Sequence, residues 1–143
     1  MSRVAVITGA SRGLGLSLAK KFLEKGDRVF AVSKTSQHWK SALNQLPESK
    51  EFSFHKIDLS SESQVKRFAK EVQKKAGRVD ILVNNAGVGG RLVRTEETSK
   101  KEYDEIMQGN LLSAFLMSKH FVPLFRKQGD GLIINVSSYA GVR

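Results

Sequence analysis

Apolar residues fall along this chain in two rhythms: short unbroken runs, and longer stretches with an apolar side chain at every third or fourth place. Arg3 to Thr8 (RVAVIT) is a β-branched run that ends in a glycine-rich turn, which predicts a strand buried on both faces. From Leu14 to Lys25 the residues Leu14, Leu18, Ala19, Phe22 and Leu23 recur at helical spacing, and Gly26 is a natural stop. Arg28 to Val32 (RVFAV) predicts a second strand. A weaker helical stretch follows from Trp39 to Leu46 and is halted by Pro47. Glu51 to Ile57 predicts a third strand, although Ser53, His55 and Lys56 interrupt its apolar character.

Ser61 and Gln64 offer a capping box to the next helix, whose stripe is Val65, Phe68, Ala69, Val72 and Ala76 and whose end lies near Gly77. Val79 to Val83 predicts a fourth strand. A second capping pair, Ser99 and Glu102, opens a long helical region reaching about Lys127, with Gly109 and Pro123 as interruptions. Leu132 to Val136 predicts a fifth strand. Short apolar strands separated by helices predict an α/β fold, a doubly wound parallel sheet covered on both faces. No repeat, low-complexity tract or linker divides it, so residues 1–143 read as a single domain.

Composition narrows the setting. The chain has 143 residues, 40% hydrophobic, with no cysteine, which excludes disulfides and thiolate metal sites. No apolar run is long enough to span a bilayer, and the start MSRVAVITGA lacks the shape of a signal peptide, so a cytoplasmic protein without membrane association is expected. The formal charge of +10 suits a polyanionic partner, a phosphorylated ligand or a lysine-rich surface. Its lysines are scattered over the outer faces of helices and no nucleic-acid-binding motif accompanies them, so no nucleic-acid partner is expected. His38, His55 and His120 have no metal-ligand spacing, and no metal site is expected.

The strongest chemical signal is Thr8-Gly9-Ala10-Ser11-Arg12-Gly13-Leu14-Gly15, set between the first strand and the first helix. Gly9 suits the tight turn out of the strand. Gly13 and Gly15 let a diphosphate approach the backbone and the helix pack on the sheet. The helix N-terminus adds free N–H groups and a partial positive charge. No Lys-Ser or Lys-Thr follows the last glycine, which argues against an ATPase phosphate loop. Dinucleotide folds of Rossmann type carry a carboxylate at the end of the second strand when they bind a free ribose 2′-OH. Here that place holds Ser33-Lys34-Thr35 instead. These residues, with Arg12 opposite, suit a 2′-phosphate, so NADP is favoured over NAD. Lys34 can also be read as one more solvated lysine.

Thr8-Gly9-x-x-x-Gly13-x-Gly15, Asp58, Asn84-Asn85-Ala86-Gly87, Asn110 and Ser138 together resemble the short-chain dehydrogenase/reductase family, in order and at family-like spacing from residue 3 to the end. The resemblance implies an NADP-dependent oxidoreductase acting on a small carbonyl or alcohol substrate, and a homo-oligomer in the full-length form. It places Ser11, Arg12, Gly13, Leu14 and Gly15 at the cofactor, Asp58 and Leu59 beside adenine, and Asn85, Ala86 and Gly87 along the cofactor. It gives Asn110 a helix kink and a proton-relay water, and Ser138 the substrate oxygen. Read alone, Asp58 is equally a turn residue, NNAG a simple turn, and Asn110 a satisfied helix amide.

The resemblance also implies a Tyr-x-x-x-Lys acid/base pair on a later helix, with the tyrosine's pKa lowered by the lysine and the cofactor. Tyr139 and Arg143 imitate the spacing, but they follow Ser138 directly, and arginine cannot relay a proton as lysine can. Family members run to roughly 250 residues. The chain is therefore expected to be the cofactor-binding portion, with an apolar strand edge left bare at Leu132 to Val136. Two other readings compete. One is a non-catalytic NADP-binding or oligomerisation module, for which Phe115, Leu116, His120 and Phe121 would form the interface unless they pack into the core. The other is a nucleic-acid binder, supported only by charge.

Overall fold

The structure, a computed structural model, describes residues 2–139. Five strands form one sheet: β1 (Val4–Thr8), β2 (Arg28–Ser33), β3 (Phe52–Lys56), β4 (Ile81–Asn84) and β5 (Leu132–Asn135). Their order is β3-β2-β1-β4-β5 and every pairing is parallel. The helices are α1 (Gly13–Glu24), α2 (Trp39–Leu43), α3 (Glu62–Ala76), α4 (Lys100–Met107) and α5 (Ser113–Gln128).

The unbroken apolar runs follow from burial on both faces, because successive side chains on a strand point to opposite sides. Val4 and Val6 of β1, with Phe30 and Val32 of β2, join the core formed by α3 and α5 through Phe68, Val72, Leu116 and Phe121. Their neighbours Ala5, Ile7, Val29 and Ala31 join the core on the other face, under Leu16 and Ala19 of α1 and Trp39 of α2. Each fully buried side chain of the size of Phe30 or Phe121 contributes about 2–3 kcal/mol of transfer free energy. Doubly wound architecture is thus written into the alternation within each strand.

Several local features differ from the pattern-based expectation. The capping box at Ser61 does not form: its hydroxyl pairs with Ser63, and the Gln64 amide oxygen accepts from the Asp58 N–H at 3.1 Å. β4 begins at Ile81, because the backbone of Val79 is engaged by the Gln128 side-chain amide. The third and fifth strands are each shorter than expected, and α2 ends at Leu43. Gly109 does interrupt the long helix, as a π turn over Gln108–Leu112. Pro123 does not: α5 runs through it. Pro123 and Lys119 both lie on the exposed side of the helix, so the carbonyl that loses its partner can be hydrated. Among the described residues no helix is long and apolar enough to cross a membrane.

β5 is a sheet edge, and Leu132, Ile134 and Val136 are exposed along it. Leu116 and Phe121 are buried in the core, Phe115 is exposed, and His120 faces Glu62 at 3.1 Å.

Candidate functional site

The strand order reverses between β1 and β4: one route from β1 leads outward to β2 and β3, while β4 and β5 lie on the other side. Loops leaving the carboxyl ends of β1 and β4 therefore diverge, and a crevice opens between them. The Gly9–Gly15 segment and the Asn85–Gly87 segment meet there.

Thr8 joins these two segments. Its hydroxyl donates to the Val83 carbonyl at 3.2 Å and accepts from the backbone N–H groups of Asn85 (3.0 Å) and Ala86 (2.9 Å). The Asn85 amide returns the contact by donating to the carbonyls of Thr8 at 3.0 Å and Gly9 at 3.3 Å. Gly9 has φ of 65°, and a Cβ there would lie 2.8 Å from the Ala86 Cα. A Cβ on Gly15 would run into the Gly9 carbonyl oxygen and the Asn85 amide nitrogen. Gly15 thus serves packing of α1 against both loops, whereas Gly13 lies at the crevice wall with open space around it. α1 starts from an extended Arg12 with no side-chain cap and no acidic residue in its first turn. Its first N–H groups are therefore available to an anion.

At the far end of the crevice, Ser33 donates to Ser11 at 3.2 Å, both side chains being buried. Lys34 Nζ lies 3.0 Å from Asp58 Oδ2. The Ser60 hydroxyl (2.7 Å) and N–H (3.1 Å) both donate to Asp58 Oδ1. The Ser60 hydroxyl holds the Asp58 carboxyl below the usual carboxylate range; partial burial opposes this and Lys34 assists it.

The resulting cleft measures about 1290 Å³. Of the residues singled out from sequence, Gly9, Ser11, Arg12, Gly13, Ser33, Lys34, Thr35, Asp58, Leu59, Asn85, Ala86 and Gly87 line it. Leu14 is 55% exposed and, like Gly15, is not part of its wall. Asn110 and Ser138 also lie outside the wall. The Asn110 side chain instead clasps the backbone of Val88, accepting from its N–H at 2.7 Å and donating to its carbonyl at 3.0 Å. Ser138 and Tyr139 are exposed beyond β5, and Arg143 lies outside the described residues.

Sequence reasoning missed part of this wall. Glu102, expected only as a helix cap, accepts from the Arg91 N–H at 2.9 Å and pairs with its guanidinium at 3.0 Å. Ser99 does cap α4, accepting from the Glu102 N–H at 3.1 Å. Gln37, His38 and Ile106 are also among the lining residues. Thr8 was visible in the glycine motif, but a threonine ending a strand carries no separate signal.

Comparison with known proteins agrees with this geometry. The family model for short chain dehydrogenase matches residues 3–143. The chain is 32% identical over 142 residues to a 3beta-hydroxysteroid dehydrogenase of Mediterraneibacter gnavus, covering 99% of this chain and 51% of that protein. It is 31% identical over 137 residues to an NADPH-dependent pterin aldehyde reductase of Arabidopsis thaliana, covering 96% and 57%. The crystal structure of a metagenomic short-chain oxidoreductase in complex with NADP superimposes with a TM-score of 0.84 at 34% identity, covering 97% of this chain and 62% of that one. The chain spans about half the length of the curated relatives it matches.

Proposed function

This chain belongs to the short-chain dehydrogenase family, and on that premise we propose that it is the cofactor-binding part of an NADP-dependent oxidoreductase acting on a carbonyl or alcohol substrate. The observation that carries the reading is the cradle at the strand-order reversal, where Thr8, Gly9, Gly15 and Asn85 hold two loops in backbone contact beside an uncapped helix N-terminus. A side chain at Gly9 or Gly15 would fill the space on which that contact depends. When bound, the cofactor supplies or accepts a hydride.

The remaining steps belong to this chain's residues. The backbone from Gly9 to Gly13 and the start of α1 receive the diphosphate. Arg12, Ser11, Ser33, Lys34 and Thr35 receive the 2′-phosphate, with charge-assisted bonds from the two cations. Asp58 and Leu59 border the adenine, and Asn85 to Gly87 border the nicotinamide riboside. Ser138 donates to the substrate oxygen, and Asn110 fixes the loop at Val88 on the relay side. The NADP complex of one structural neighbour and the NADPH-dependence of one relative support the choice of cofactor.

Neither tyrosine is followed four places later by lysine; Met107 and Arg143 stand there instead. Hydride transfer by these 143 residues alone is therefore expected to be negligible. A second reading, a module that binds NADP and associates with another copy, draws on the exposed Tyr103, Leu111 and Phe115 on the α4–α5 side.

Titration followed by nicotinamide fluorescence tests the cofactor reading. NADPH should saturate one site per chain at both low and high salt, about tenfold tighter than NADH, a difference of about 1.4 kcal/mol. Binding that does not saturate, or that vanishes with salt without defined stoichiometry, would mark a mere polycation and sink the proposal.

A further inference from the structure

The Lys34–Asp58 ion pair spans two parts of the cleft that a dinucleotide would use separately, the exit of β2 and the exit of β3. Sheet register builds it. Ser33 pairs with Lys56 at the ends of the strands, and the Ile57 N–H donates to the Ser33 carbonyl at 3.0 Å, so Lys34, the first residue after β2, meets Asp58, the second after β3, across the gap. Asp58 is the fixed partner: Ser60 occupies Oδ1 twice and leaves Oδ2 turned toward Lys34. Lys34 is the movable one, its side chain 71% exposed against 33% for Asp58.

Resting on the NADP reading above, we propose that Asp58 sets how strongly this site discriminates between NADP and NAD, by holding Lys34 whenever no 2′-phosphate is present. A 2′-phosphate gains Lys34 only by taking it from Asp58. A cofactor with a free 2′-OH leaves the pair intact and loses nothing. The pair therefore subtracts from the phosphate's advantage and leaves NAD binding unchanged. Because Lys34 is mostly solvated, the subtraction is modest, about threefold in the ratio of affinities. Asp58 acts here as a specificity-determining residue through its hold on a neighbouring cation, distinct from any contact it makes with adenine. Such a contact is common to both cofactors and cancels in the ratio.

The test is a double-mutant cycle on the full chain, reading NADPH and NADH dissociation constants by fluorescence at low salt. Asp58→Asn keeps the side-chain shape and an acceptor for Ser60. It should raise the NADPH-over-NADH preference about threefold. Lys34→Gln should lower the preference, and adding Asp58→Asn to Lys34→Gln should then change it no further. An unchanged or lower preference in Asp58→Asn overturns the proposal. So does an equal rise in both backgrounds, which would assign the effect to repulsion between Asp58 and the phosphate. If the unsubstituted chain binds neither cofactor, the dinucleotide reading itself falls and takes this inference with it. A chain that binds both with a cycle that does not close as stated removes the inference alone.

Discussion

At the scale of single residues, one hydroxyl does the work of a joint. Thr8 accepts two backbone N–H groups from the loop after β4 while its own proton goes to the Val83 carbonyl, so all three groups are satisfied away from water. Thr8→Val preserves shape and removes every one of these bonds, leaving the N–H groups of Asn85 and Ala86 without their acceptor. A buried donor left unmade costs about 1–3 kcal/mol, so urea unfolding should show a loss of roughly 2–6 kcal/mol for the two. Thr8→Ser, which keeps the oxygen, should recover most of it. A loss in Thr8→Ser with none in Thr8→Val would mean that the methyl group, not the hydroxyl, matters. The glycines of this segment were legible from sequence because their spacing between a strand and a helix has a mechanical meaning. Thr8 was not, since a β-branched residue at a strand end is what any strand would carry. Lys34 and Asp58 were each legible as site residues, but their mutual pairing depends on register between β2 and β3, which no local pattern encodes.

Among elements, the close seat of α1 on the loops after β1 and β4 has a specific origin in Gly15. Any side chain there meets backbone, the Gly9 carbonyl, which cannot swing aside as a flexible chain end would. Gly15→Ala should therefore displace the first turn of α1. Overpacking of this kind costs about 1–3 kcal/mol, and NADPH affinity should drop more than tenfold because the diphosphate end moves with the helix. Stability and affinity are separable here by measuring both on the same preparation. A variant that keeps full affinity would show that the helix start does not hold the diphosphate.

Other elements show where pattern reading stops. The helical stripes predicted α1, α3 and the α4–α5 region because their buried faces repeat at helical spacing. The π turn at Gln108–Leu112 was legible only as an interruption, since it adds one residue without changing which side chains are apolar. Pro123 misled because a proline's effect depends on whether the deprived carbonyl faces solvent, which the sequence does not state. The Ser61 cap failed because Gln64 found a better-placed donor at Asp58, a contact across six residues.

For the whole molecule, the alternating strand and helix runs made the doubly wound class legible, and the parallel order β3-β2-β1-β4-β5 puts the crevice where the order reverses. The glycine, serine and NNAG segments, far apart in sequence, converge because each follows a strand and every strand points the same way. The part of the cleft wall formed by Glu102 and Ile106 was not legible, because it arises from the long loop after β4 folding back on α4. The proposed function requires that this crevice, and no other surface of the described residues, receive the dinucleotide. A second hollow, smaller at about 400 Å³, lies between β3 and α3 beside His55 and Arg67. Hydrogen–deuterium exchange with and without saturating NADP decides between them. Slower exchange is expected in the segments 9–16, 33–36, 58–60 and 85–89, with the amides of 64–71 unchanged; protection confined to 64–71, or absent from 9–16, would contradict binding in the crevice.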